Sequence, residues 1–195
     1  MTDADLQNRL AFIQAAEQLK TVLRCAYTSN GRQESTPEHT WRLCLMAMVF
    51  QGELGPLNFE RVLKMCVIHD LGETLHGDIP ATVQSLDTSK SDSERRDLIE
   101  LMGPLPAALQ AEFLALWDDY EQAASPEARA VKALDKLETI IQHNQGQNPP
   151  DFDYAFNLTY GQHYTAADPL LARLRQLVDA QTRQRLAAAN TAPPG

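Results

Sequence analysis

The chain has 195 residues, 44% apolar and 22% charged, enough to bury a real core and too apolar for a wholly disordered polymer. Its 26 acidic residues against 17 basic ones leave a net charge of −9. That balance argues against nucleic acid or an anionic membrane as the main partner, and it suits a protein that holds a divalent cation.

The opening MTDADLQNRL carries acids where a signal peptide would carry positive charge, and no run of about 18 apolar residues follows, so no leader and no membrane span are expected. In residues 3–28, Leu6, Leu10, Ile13, Leu19 and Leu23 recur at the spacing of one helix face and predict a first helix. SNGRQ (29–33) reads as a turn. Ser35, Thr36, Pro37 and Glu38 then announce a second helix: a hydroxyl cap, a first-turn proline and an acid near the positive end of the dipole. It ends between Gly52 and Pro56, and Asn58 is placed to cap the next helix, FERVLKMCVIHD, whose last turns are too apolar for a surface helix. In LGETLHGDIP, Gly72, Gly77 and Pro80 interrupt the pattern, and residues 84–93 read as a mobile loop. Helices resume in SERRDLIELM and PAALQAEFLALWDDYEQ. Ser125-Pro126-Glu127 opens a long one that runs to Asn144, with Gly146 as its stop. The aromatic segment DFDYAFNLTYGQHY leads to a last helix from Asp168. No strand, repeat or long linker is evident, so the expectation is an all-α single domain over residues 1–190 with a frayed tail, 191–195.

Three cysteines at 25, 44 and 66, with no CxxC, read as reduced thiols and point to a cytoplasmic address, Cys44 and Cys66 serving as core filler. Trp41, Trp117, Met46 and Met48 fall at core spacing. His76, His143 and His163 match no motif and are assigned to the surface or an interface.

The pair His69-Asp70 closes an apolar helix, where a carboxylate without a partner costs several kcal/mol. His39 lies in the first turn of its own helix. Asp135 sits among Val131, Leu134 and Leu137, a poor place for an unpaired acid. Two imidazoles and two carboxylates from three helices form a mixed N/O set that suits one divalent metal ion (Mn, Co, Mg, Fe or Zn) with positions open to water. Adjacent side chains on a regular helix point about 100° apart, so His69 and Asp70 need a distortion to converge, and Gly72 is the expected source.

His39, His69-Asp70 and Asp135 together resemble the H…HD…D signature of the HD-domain metal-dependent phosphohydrolases, over residues 20–145. Within that superfamily the segments RCAYTSNGRQESTPEHTWR and HDLGETLHGDIP are most similar to the 5′-deoxynucleotidase branch, an all-helical group often dimeric. The resemblance implies a helical bundle that hydrolyses nucleoside 5′-monophosphates and binds them as small-molecule substrates. It also implies a homodimer, with contacts that segment 152–164 could supply. It makes His39, His69, Asp70 and Asp135 the metal ligands, Glu73 the general acid/base, Asp78 a contact to the sugar hydroxyl and Arg24 a substrate-side cation. Thr40 stands where the branch has serine, and Cys25 where it has a tryptophan tied to exclusion of ribonucleotides, so the sugar preference stays open.

Competing readings attach to several of these residues. Asp78 also suits a cap of the IPATV turn, and Arg24 an ion pair on its own helix. Arg32 and Arg42 are further candidates for phosphate, and Lys136 reads as a surface neighbour of Asp135, with a phosphate contact as its alternative. At the level of function, the alternatives are an HD hydrolase for triphosphates, cyclic or signalling nucleotides, or a metal-binding regulatory module without turnover.

Overall fold

The structure is a computed structural model that describes residues 1–77 and 89–191. The described residues build an all-α domain carrying one small hairpin: α1 (Asp3–Ala16), β1 (Leu23–Tyr27), β2 (Gln33–Ser35), α2 (Thr36–Val49), α3 (Phe59–Ile68), α4 (Ser89–Leu101), α5 (Ala107–Gln122), α6 (Pro126–Gln145), the one-turn α7 (Tyr154–Asn157) and α8 (Gln162–Thr165), and α9 (Pro169–Thr191). Short 3₁₀ turns follow α1 (Glu17–Thr21) and α3 (Leu71–Thr74).

The first predicted helix is cut in two. α1 stops at Ala16, and Leu23–Tyr27 instead pairs antiparallel with Gln33–Ser35, with Leu23 opposite Ser35 and Tyr27 opposite Gln33. The reason lies in the connecting turn. Asn30-Gly31 is a strong hairpin signal, Gly31 takes a positive φ of 84°, and the Thr28 N–H donates to the Arg32 carbonyl at 2.7 Å. A five-residue strand gave too short an alternation to compete with the helical pattern before it.

The other helix starts follow their caps. The Ser35 N–H donates to the Glu38 carboxylate at 2.8 Å, Asn58 accepts from the Arg61 N–H at 3.1 Å, and Ser125 accepts from the Ala128 N–H at 3.0 Å. Gly146 ends α6 for a reason other than a left-handed cap: its φ is −67°, but a Cβ there would lie 2.2 Å from the Tyr27 carbonyl oxygen. The end of α6 and the hairpin thus touch backbone to backbone. α4 begins at Ser89, inside the segment expected to be a loop.

α6 is the axis of the domain. It packs against α2, α3, α5 and α9, and Ala128, Val131, Ala133, Leu134, Leu137 and Ile140 are all buried. α2 turns Thr36, His39, Leu43 and Ala47 inward, which places Trp41 and Met48 on the opposite face. Trp41 is 65% exposed, against the core position expected for it, whereas Trp117 is buried. His143 is likewise not a surface residue: it is buried, its Nδ1 lies 2.9 Å from Asn157 Oδ1, and its ring meets Phe152 edge-on.

Candidate metal centre

Three helices deliver the predicted ligands to one place. His39 comes from the first turns of α2, His69 caps the C-terminus of α3, and Asp135 projects from the middle of α6. Asp70 leaves the helix with φ −103° and ψ 6°, and this change of backbone turns its carboxylate back beside His69. The distortion therefore sits at Asp70 itself. Gly72 does a different job, since a Cβ there would fall 2.5 Å from the Glu94 carbonyl oxygen of α4.

The four side chains converge. His69 Nε2 is 3.0 Å from Asp70 Oδ2, His39 Nε2 is 3.1 Å from Asp135 Oδ1 and 3.8 Å from Asp70 Oδ2, and the two imidazole centroids are 5.5 Å apart. His39, His69 and Asp70 form a group with ligand-capable atoms all within 4.8 Å of one another.

Their outer contacts fix how the rings face. His69 Nδ1 lies 2.8 Å from the Cys66 carbonyl oxygen, a pure acceptor, so Nδ1 carries the proton and Nε2 points inward. His39 Nδ1 bonds the Glu138 carboxylate in the same sense. Both Nε2 atoms are buried and lack a hydrogen-bond partner among the described residues. Two inward-facing imidazole nitrogens beside two carboxylates are the donor set a divalent cation needs, and the residues present fit one.

Electrostatics agree with that fit. Burial and Arg24 oppose a charge on His39, yet Glu138 and Asp135 outweigh them and push its pKa up to about 9. Burial would raise the pKa of Asp70, but His69, His39 and Arg24 hold it well below the usual carboxylate range. Asp135 is depressed too, with Lys136 and His39 overcoming its burial. The protein keeps both acids ionised and, without a metal, places a proton where a cation would sit.

Glu73 lies in the 3₁₀ turn directly after Asp70. It is buried, and its Oε2 accepts the Thr36 hydroxyl at 3.2 Å, which puts it against the first turn of the helix that carries His39. Arg24 comes from β1 rather than from a helix, so its partners are not helical neighbours. Its guanidinium donates to Thr139 Oγ1 at 3.0 Å and lies 3.5 Å from Glu34 and 3.9 Å from Asp70. Asp78 falls outside the described residues. Arg32 and Arg42, the other candidates for phosphate, are engaged elsewhere: Arg32 with Glu38 at 2.6 Å, and Arg42 with Glu138 and Gln145.

Several residues of the site escaped sequence reasoning. The Tyr120 hydroxyl donates to Asp135 Oδ2 at 2.6 Å, and its ring packs edge-on against His69. Lys136 is no surface neighbour: its Nζ sits 2.9 Å from the same oxygen, with its stem pinned under Gly161, where a Cβ would come within 2.5 Å. These contacts leave Asp135 Oδ1 turned to His39. Glu138, fully buried three residues after Asp135, carried the clearest missed signal, a second acid on the apolar face of a core helix.

The HD-domain family profile matches residues 16–175. The 5′-deoxynucleotidase HDDC2 of Danio rerio is 37% identical over 146 residues, covering 72% of this chain and 70% of that protein. Its Homo sapiens counterpart is 30% identical over 190 residues, covering 94% and 91%. A crystal structure of a predicted metal-dependent phosphohydrolase from Magnetospirillum magnetotacticum superimposes with a TM-score of 0.83 at 26% identity, covering 98% of this chain and 97% of that one.

Proposed function

The chain belongs to the HD-domain family, and from that membership we propose that it is a divalent-metal-dependent phosphomonoesterase for nucleoside 5′-monophosphates, deoxyribonucleotides among them. The observation that carries the reading is the convergence of the buried, inward-facing Nε2 atoms of His39 and His69 on the carboxylates of Asp135 and Asp70, at 3.1 and 3.0 Å.

In this reading His39, His69, Asp70 and Asp135 hold the ion. When bound, a divalent ion lowers the pKa of its water and polarises a phosphoryl oxygen. Glu73 exchanges a proton with the attacking water or the leaving oxygen, oriented by the Thr36 hydroxyl. Arg24 is a partly buried cation: burial disfavours its charge, but Asp70, Glu138, Glu34 and Asp135 hold it charged, so it offsets the charge of an incoming phosphate. Asp78 is assigned to the sugar hydroxyl on the family resemblance.

Two coarser properties extend to finer proposals. No helix among the described residues is long and apolar enough to cross a membrane, and three sparse cysteines without a disulfide among the described residues support a cytoplasmic address. Trp41, Leu45, Met48 and Val49 form an exposed apolar stripe on α2, which supports a homodimer packed helix against helix. A monomeric sedimentation coefficient at micromolar concentration would remove the dimer.

Metal-stripped protein, reloaded in turn with Mn²⁺, Co²⁺ or Mg²⁺, should release phosphate from a panel of ribo- and deoxyribonucleoside 5′-monophosphates. Metal-loaded protein that releases none across the panel would refute the reading.

A further inference from the structure

The two histidines are held by different kinds of partner. His69 Nδ1 faces a neutral backbone carbonyl, that of Cys66, at 2.8 Å. His39 Nδ1 faces the carboxylate of Glu138, which is fully buried, as is His39 itself. Glu138 is in turn gripped from behind: its other oxygen accepts from Arg42 Nε, and Arg42 also reaches the Glu138 carbonyl oxygen at 3.4 Å and Gln145 Oε1 at 2.9 Å. The line Arg42–Glu138–His39 runs from the outer face of α2, through α6, and back to α2.

Glu34 of β2 joins this group, with ligand-capable atoms of Glu34, His39 and Glu138 all within 4.8 Å. A second cation site does not follow, because two arginines and the His39 imidazole already face the two acids. Arg24 lies 3.5 Å from Glu34, Arg42 is bonded to Glu138, and His39 Nδ1 donates to Glu138. These acids serve their neighbours rather than a second metal.

We propose that Glu138, braced by Arg42, is a positioning residue for the metal centre: it fixes the His39 tautomer and ring orientation and makes His39 the stronger imidazole donor of the pair. A carboxylate on Nδ1 pushes electron density toward Nε2 more than a carbonyl does, and such outer partners are worth about 10- to 100-fold in metal affinity. A fixed rotamer also leaves Nε2 nowhere to point but at Asp70 and Asp135. A brace that only joined α2 to α6 would need no imidazole at its inner end.

The proposal rests on the site taking a divalent metal, and the test separates the two. Metal-free wild-type, Glu138→Gln and Arg42→Gln proteins are titrated with Mn²⁺ and Co²⁺ against a chromophoric chelator, with circular dichroism and melting followed in parallel. Glu138→Gln keeps a neutral acceptor of the same shape, and its affinity should fall about 10- to 100-fold. Arg42→Gln loosens the brace but spares the carboxylate, and should lose several-fold. The Co²⁺ visible spectrum, sensitive to ligand strength, should shift in Glu138→Gln. A folded Glu138→Gln protein with wild-type affinity and spectrum overturns the positioning role. If Glu138→Gln does not fold, Arg42→Gln decides, and unchanged affinity there overturns it equally. Wild-type protein that takes up neither ion would overturn the metal-dependent reading beneath it, and this role with it.

Discussion

Thr36 donates its hydroxyl to Glu73 at 3.2 Å, and that contact decides which substitution is informative there. Glu73→Ala would leave a buried hydroxyl without its acceptor and confuse chemistry with packing. Glu73→Gln keeps an acceptor oxygen of the same reach but cannot exchange a proton at neutral pH. Phosphate release should fall roughly 10²- to 10⁴-fold, the usual worth of a general acid/base. Metal content by elemental analysis and the melting temperature should stay near wild type. Parallel loss of metal and of thermal stability would instead make Glu73 a structural acid, and the catalytic assignment would fail.

At the level of elements, the ligand set was legible because each ligand contradicted its local setting: an imidazole in a first turn, an acid after a buried helix, an acid on a core face. Their partners were not, because they come from elsewhere in the chain. Tyr120 of α5 reaches Asp135 across 15 residues, and Arg24 of β1 reaches Thr139 across 115. No periodicity reports such a pairing. The hairpin that carries Arg24 was missed although Asn30-Gly31 marked it, since five residues of strand cannot outweigh a preceding helical repeat. Gly72 is not the break that its place after Asp70 suggests. Asp70 itself turns its carboxylate inward, and Gly72 lets α4 close over the 3₁₀ turn. Gly72→Ala thrusts a methyl group to 2.5 Å from the Glu94 carbonyl oxygen, and backbone cannot yield as a flexible side chain can. The expected cost is about 1–3 kcal/mol, as for other overpacked sites, read by urea denaturation of the metal-free protein. Weaker Mn²⁺ binding should accompany it, because Asp70 lies on the displaced turn. Wild-type stability in this variant would mean that α4 packs less closely than described.

For the whole molecule, the metal centre couples folding to pH in two opposite ways. In the metal-free protein the pKa of His39 is raised from 6.5 to about 9, burial being outweighed by Glu138 and Asp135. A raised folded-state pKa contributes stability that is complete below 6.5 and is lost as pH climbs through about 9. The melting temperature of metal-free protein should therefore fall across that window. Metal binding needs the same imidazole neutral, so the ion displaces a proton and its affinity should rise over the same interval. The melting temperature with saturating Mn²⁺ should accordingly stay level or rise while the metal-free curve descends. Cys44 also titrates here, its thiol drawn down to about 7 by a hydrogen bond with Cys66 against its burial. A depressed acid contributes in the other direction, adding stability as pH rises toward the ordinary thiol value. His39→Gln separates the two: it should abolish the downward slope and leave any thiol contribution rising. A metal-free melting curve equally steep in wild type and His39→Gln would show that His39 is not the group that links this fold to pH.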